Sequence, residues 1–248
     1  MRGWTGLFLL LVTGGALAAG DAPRADAEKT GEGVGQVARA EGRVQVLPAK
    51  GFRKEPAEAG RALAQGDMVL TGNEAQAVLA FADGSKVAMN GGTKLEVLDP
   101  GEVRQEGGKA FYRIRQSASQ GRQVRTEFSV IGVKGTEFLV SDTGEAKAVA
   151  MAEGEVEVAA PDDGRFELYR EKQADEFDAY RQRQQQGMDD YRQEFEQYKQ
   201  RVRREFVEYA RSFSLGTGKM ATFGDGEATT GAVSEELEQD IQRLRDLL

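Results

Sequence analysis

The chain contains no cysteine and no histidine. Disulfides and thiolate nucleophiles are therefore excluded, and so are zinc sites of the usual nitrogen and sulfur type. The side chain that most often serves as a general base near neutral pH is missing too. An enzyme would have to be assembled from carboxylates, Lys, Ser or Tyr, and no motif supports such a carboxylate-based hydrolase. Positive charge is also short. Lys and Arg number 33 against 41 Asp and Glu, a net charge of −8. A surface of that sign repels phosphate backbones and anionic membranes, so nucleic acid is not expected as a partner. Long apolar runs are lacking as well: the run Leu7 to Val12 falls far short of the roughly 20 residues that a membrane span needs.

What is present at the N-terminus reads as an export signal, residues 1–18. Arg2 forms a short positive region, Leu7 to Val12 the apolar centre, and Ala16-Leu17-Ala18 the small residues of a cleavage site. An uncleaved anchor is the competing reading. No Cys follows the apolar centre, so a lipid anchor of the bacterial type is not expected. The address implied is the periplasm, with secretion as the alternative, and no membrane span is expected once the signal is cleaved. Residues 19–33 are Ala, Asp, Glu, Lys and Gly without apolar periodicity and read as a flexible mature terminus.

From Val34 the texture changes to short apolar runs punctuated by glycine. "RALAQGDMVLTG" places Gly66-Asp67 ahead of an apolar strand, and "AVLAFADGSKVAM" folds two apolar runs about Asp83-Gly84-Ser85, a tight-turn signal. "FSVIGVKGTEFLV" carries Gly132 and Gly135-Thr136 inside a strand-like run, where glycine usually marks a bend or a close backbone approach. "KAVAMAEGEVEVAAP" has Glu153-Gly154 before an alternating strand. Turn residues recur about every eight to twelve positions over 34–160, which argues an all-β domain.

After Pro161 the composition becomes Glu, Gln, Arg, Tyr and Phe. "EFDAYRQRQQQGMDDYRQ" from Glu176 and "EFEQYKQRVRREFVEYAR" from Glu194 form an eighteen-residue internal repeat. Eighteen residues are about five turns at 3.6 residues each, so equivalent positions return to one helix face. Phe177, Tyr180, Met188, Tyr191, Phe195, Tyr198, Val202, Phe206, Tyr209 and Phe213 make an aromatic stripe on that face. The expectation is a long amphipathic, coiled-coil-like helix over 166–213, with the stripe as an interaction surface and self-association through it. A bend at Gly187 is the alternative. Arg201, Arg203 and Arg204 form a basic cluster flanked by glutamates and read as helix surface. Residues 214–233 read as a linker. The "GTGKM" within them lacks the earlier glycine and the Ser or Thr of a phosphate loop. Residues 234–248 read as a short amphipathic helix capped by Ser234, with Leu237, Ile241, Leu244 and Leu248 on its apolar face. Asp162-Asp163 and Asp189-Asp190 lack calcium-loop spacing and read as solvated charge.

Residues 34–160 resemble the FecR domain, the periplasmic module of iron-citrate-type signalling regulators. The residues that carry the resemblance, in order, are Gly66-Asp67, Asp83-Gly84-Ser85, Gly135-Thr136 and Glu153-Gly154, with Lys134 where the family has Arg. The resemblance implies a short β-solenoid or β-helix-like roll in which these positions shape corners. It assigns no catalytic residue, metal or cofactor. Regulators of the family place a cytoplasmic sigma-factor-binding segment and a membrane span ahead of this domain, and here an export signal stands at that end. The function expected is therefore that of a non-enzymatic exported interaction or scaffold protein with a protein partner in the cell envelope, in envelope signalling. A structural, glycan- or peptidoglycan-associated envelope protein is the alternative.

Overall fold

Two patterns of burial in the strands set the architecture. Runs such as Ala77–Ala80, Val87–Met89, Ala110–Tyr112, Phe138–Val140 and Ala148–Met151 are apolar at consecutive positions, so both faces of these strands need cover. Others alternate, as in Val44-Gln45-Val46 or Val156-Glu157-Val158, and need cover on one face. The computed structural model, which describes residues 33–115, 121–144, 146–170 and 208–248, sorts these two kinds into two sheets.

The larger sheet has eleven strands. In spatial order they are β17 (Glu208–Ala210), β16 (Phe166–Arg170), β20 (Glu227–Ala232), β19 (Lys219–Phe223), β14 (Lys147–Glu153), β13 (Glu137–Asp142), β10 (Gly108–Arg113), β7 (Lys86–Met89), β6 (Gln76–Phe81), β1 (Gly35–Glu41) and β4 (Ala62–Leu63). The smaller has nine: β18 (Ser212–Gly216), β15 (Glu155–Ala159), β12 (Val130–Val133), β11 (Arg122–Arg125), β9 (Glu102–Gln105), β8 (Lys94–Asp99), β5 (Met68–Thr71), β2 (Val44–Leu47) and β3 (Glu55–Pro56). Neighbours are antiparallel except β9 with β11 and β16 with β20. The chain crosses between the sheets repeatedly. Their facing sides share one apolar core, in which Leu79, Val87, Tyr112, Phe138 and Val149 of the larger sheet meet Val69, Leu95, Val103, Ile131 and Val158 of the smaller. Tyr112 stacks on Phe138 with ring centroids 5.0 Å apart.

The outer side of the larger sheet is covered by a helix, α1 (Glu235–Arg245). Ser234 caps its N-terminus, and the Ser234 hydroxyl accepts from the Leu237 amide at 3.4 Å. Leu237, Ile241 and Leu244 bury against Val78, Ala88, Phe111, Leu139, Ala148 and Ala150. Lys109 fastens the helix through Asp240 at 2.5 Å and Glu236 at 3.3 Å. Arg245 holds Glu137, its Nε donating at 2.7 Å.

Several expectations are corrected. The β-solenoid is replaced by two large mixed sheets, neither closed nor coiled into rungs. Glycine corners at regular spacing suit both architectures, and only the register distinguishes them: a solenoid stacks its rungs in parallel, whereas these ladders are mostly antiparallel. The long helix over 166–213 is overturned at both of its ends, because residues 166–170, 208–210 and 212–213 lie in β16, β17 and β18. Phe213 is a core residue at 6 % exposure, its ring 5.7 Å from Phe166, and Tyr209 sits in β17 opposite Glu167, 64 % exposed. Alternation in "SFSLG" outweighs the eighteen-residue period there. The remaining stripe residues, Phe177, Tyr180, Met188, Tyr191, Phe195, Tyr198, Val202 and Phe206, lie outside the described residues. So do residues 1–32, and with them the expected export signal. The linker reading of 214–233 fails as well, since β19 and β20 insert beside β14 and Phe223 joins the core. The β domain consequently runs past residue 160 and takes in everything described up to α1.

Candidate functional site

Three of the four motifs quoted from the sequence meet at one rim of the larger sheet. In the turn between β6 and β7, Asp83 accepts from its own turn: Ser85 N donates to Oδ1 at 2.9 Å and Ser85 Oγ to Oδ2 at 3.0 Å. Gly84 there has φ +80°, and a Cβ on it would stand 2.8 Å from Arg115 Cδ. The bare turn therefore seats the Arg115 stem. Ser85, fully buried, accepts from the Arg115 amide at 3.2 Å.

In the turn between β12 and β13, where the chain crosses from one sheet to the other, Gly135 has φ +71°. The Thr136 carbonyl accepts from Ile114 N at 2.9 Å. The turn between β14 and β15 packs directly on it. A Cβ at Gly154 (φ +87°) would lie 2.7 Å from Thr136 Cγ2 and 3.3 Å from the Gly135 carbonyl. Gly132 behaves differently: a Cβ would find its nearest neighbour at 3.8 Å, so that position needs no glycine for its backbone.

The fourth motif lies elsewhere. Gly66 (φ +84°) packs on Ala49, and buried Asp67 accepts from Ala49 N at 3.1 Å and Ala64 N at 2.9 Å. It ties loops beside the smaller sheet and does not reach the rim.

Between the three turns lies an open cleft of about 640 Å³ lined by Asp83, Arg113, Ile114, Arg115, Gly135, Thr136, Glu137 and Glu153. Two of its carboxylates are neutralised from behind. Arg122, 3 % exposed, crosses from the smaller sheet and lies over the Phe81 ring at 4.3 Å. Its Nη2 donates to Asp83 Oδ2 at 2.8 Å and to the Pro100 carbonyl at 3.0 Å. Burial pushes the Asp83 carboxyl up, but the Arg122 bond and charge and the Ser85 bonds outweigh it and hold Asp83 below its ordinary value. Glu137 takes Arg113 Nε at 2.5 Å on Oε1 and Arg245 Nε at 2.7 Å on Oε2. It too sits below the ordinary range, burial being outweighed by the two arginines. The phenol of Tyr112, fully buried and donating to Gln105 Oε1 at 2.8 Å, is pushed up by that burial.

Among the described residues Arg115 and Glu153 line the cleft without a side-chain partner, and the buried Thr136 hydroxyl has none either. Two of Arg122's nitrogens, Nε and Nη1, are likewise buried and unpartnered. Among the described residues no group of three or more Asp or Glu is placed to hold a metal ion, and Asp162 and Asp163 sit exposed in a 3-10 turn. Sequence reading found the turn glycines of this site but missed the charged residues: Arg113, Arg115, Arg122, Glu137 and Arg245. The one local signal was "YRIR", where cations alternate with apolar residues on a strand.

Residues 67–157 match the family model described as FecR protein, which bears out the resemblance read from the motifs. No curated protein matches the chain. Two crystal structures of a "putative anti-sigma factor" from Parabacteroides distasonis align with 16% identity over 68% of this chain and 61% of that one, at TM-score 0.45. The chain thus spans about three-fifths of the length of that protein. A "Cell surface anchoring domain" aligns over 27% of this chain and 87% of its own, with 28% identity and TM-score 0.25.

Proposed function

We propose that this chain is an exported, non-enzymatic interaction module of the FecR type that engages a protein partner in the cell envelope and serves envelope signalling. The observation that carries the reading is the convergence of Asp83-Gly84-Ser85, Gly135-Thr136 and Glu153-Gly154. Far apart in sequence, they form one rim around one cleft. Turns on a rigid sandwich are where recognition residues are usually carried. The cleft lining supports recognition over chemistry, because Asp83 and Glu137 are committed to ion pairs that hold the rim together. Export is supported by Arg2, the short apolar centre and Ala16-Leu17-Ala18. Among the described residues no helix is long and apolar enough to cross a membrane.

The test is site-specific photo-crosslinking in cells that produce the protein. A benzoylphenylalanine replaces Glu153, exposed at the cleft, or Asp225, exposed in the β19–β20 turn at the other end of the β14 ladder. A discrete protein adduct from position 153 and none from 225 is expected. Equal labelling from both, or none from 153, refutes the rim as the interaction site.

A further inference from the structure

The cleft has a directional charge pattern that specifies what it takes. Arg113 ends β10, Arg115 follows two residues beyond it, and both line the cleft. Ile114 between them is buried, and the two arginines on either side of it turn to the open cleft. Arg113 spends its Nε on Glu137, and its terminal nitrogens carry no hydrogen bond among the described residues. Arg115 is exposed and has no side-chain partner among the described residues. Its amide is bonded to Ser85 Oγ, and its stem lies across Gly84, where even a methyl group would collide with it. Its guanidinium is not spent on any other described side chain, and its fork matches a planar carboxylate.

The surrounding acids set the charge that is tolerated. Asp83 and Glu137 are paired by buried Arg122 and by Arg113 and Arg245, so their field in the cleft is largely cancelled. Glu153 is uncompensated and repels a dianion more than a monoanion. We infer that the cleft receives a carboxylate of a peptide partner on the outer edges of Arg113 and Arg115. This rests on the reading of the rim as the interaction site and names the chemistry of its ligand. The carboxylate comes from a chain terminus or from an acidic side chain. The motif Asp83-Gly84-Ser85 then has a second task beyond the turn: it presents Arg115.

The probes are N-acetylated glycine–serine hexapeptides, read by isothermal titration calorimetry against the full chain. One ends in a free carboxylate, one ends in an amide, one carries internal glutamates and an amide end, and one carries phosphoserine and an amide end. Either acid-bearing peptide should bind at least about tenfold more tightly than the neutral amide, and the difference should shrink with added salt. The free-acid and internal-glutamate arms tell the two carboxylate sources apart. Arg115→Gln should cost at least about tenfold with the melting temperature unchanged, since Arg115 is exposed and unpaired. Glu153→Gln should tighten acid-peptide binding, an effect that a merely structural surface would not show. The assignment is overturned if the amide binds equally, if Arg115→Gln changes nothing, if phosphoserine outcompetes glutamate, or if no acid peptide binds the folded protein at millimolar concentration. Should that last result coincide with a crosslink from position 153, the interaction site stands and the carboxylate class falls. Without the crosslink, both fall.

Discussion

The pair formed by buried Arg122 and the partly exposed Asp83 makes a prediction with an uneven outcome. Arg122 is 3 % exposed and has only Nη2 engaged, while the Asp83 side chain keeps 29 % of its surface in solvent and retains its Ser85 bonds. Asp83→Ala strands a buried guanidinium with a single carbonyl acceptor, Pro100, and removes the turn's own cap. Breaking a buried pair in this way costs about 3–5 kcal/mol. Arg122→Met removes the buried charge itself. The stacking on Phe81 is lost, at about 0.5–2 kcal/mol. Two unpartnered nitrogens disappear at the same time, each of which costs about 1–3 kcal/mol to leave buried and unmade. The charged bond to Asp83 goes as well, at about 1.5–3 kcal/mol, so that losses and gains nearly balance. For a domain of this size about 1 kcal/mol moves the melting temperature by roughly 2–4 °C. Asp83→Ala should therefore melt about 6–20 °C below the parent, and Arg122→Met within about 4 °C of it. Differential scanning calorimetry at pH 7 reads both. If Arg122→Met melts as low as Asp83→Ala, the arginine contributes packing or bonds beyond those described, and the reasoning fails.

Four further outcomes are expected. Gly135→Ala should destabilise by about 1–3 kcal/mol because φ is +71° there, while Gly132→Ala should fall within about 0.5 kcal/mol of the parent; urea titration separates them. Leu244→Ala, at a fully buried contact of α1 with the sheet, should cost about 2–5 kcal/mol and raise binding of a hydrophobic dye. Glu137 has a folded value below its ordinary 4.5, so its contribution is full above that pH and is lost as pH falls below it. Glu137→Gln should lower stability at pH 7 and flatten the acid limb of the pH–melting curve, and an unchanged limb would contradict the pairing with Arg113 and Arg245. Mass spectrometry of protein recovered from cells should find a new N-terminus at Ala19 or within a residue or two, whereas an intact Met1 on membrane-bound protein would refute cleavage.

Local stereochemistry was readable wherever one residue type had one job. Gly66, Gly84, Gly135 and Gly154 were marked as turn residues and all have positive φ. Gly132 was indistinguishable from Gly135 by composition, because a glycine letter does not say whether its freedom is used. The apolar runs of the larger sheet imply cover on both faces, and the apolar face of 234–248 supplies the outer one. The candidate site was legible only in pieces, as turns. Its arginines gave no signal, since Arg122 looks in sequence like any strand-surface cation and is in fact buried across the sandwich.

By itself, then, the sequence determined the positions of the turns, the β character of 34–160, the net acidity, the absence of Cys and His chemistry, and the amphipathic face that became α1. Each follows from side-chain sterics, charge or periodicity within a few residues of the chain. Tertiary structure alone decided that the strands pair into two sheets, that 208–233 supplies strands to both, and that three distant turns share one rim. Strand pairing is chosen among many partners with similar local preference. What selects one is the closing of a common core: Phe213 and Phe223 could be placed only once Phe166 and Phe128 were there to pack against.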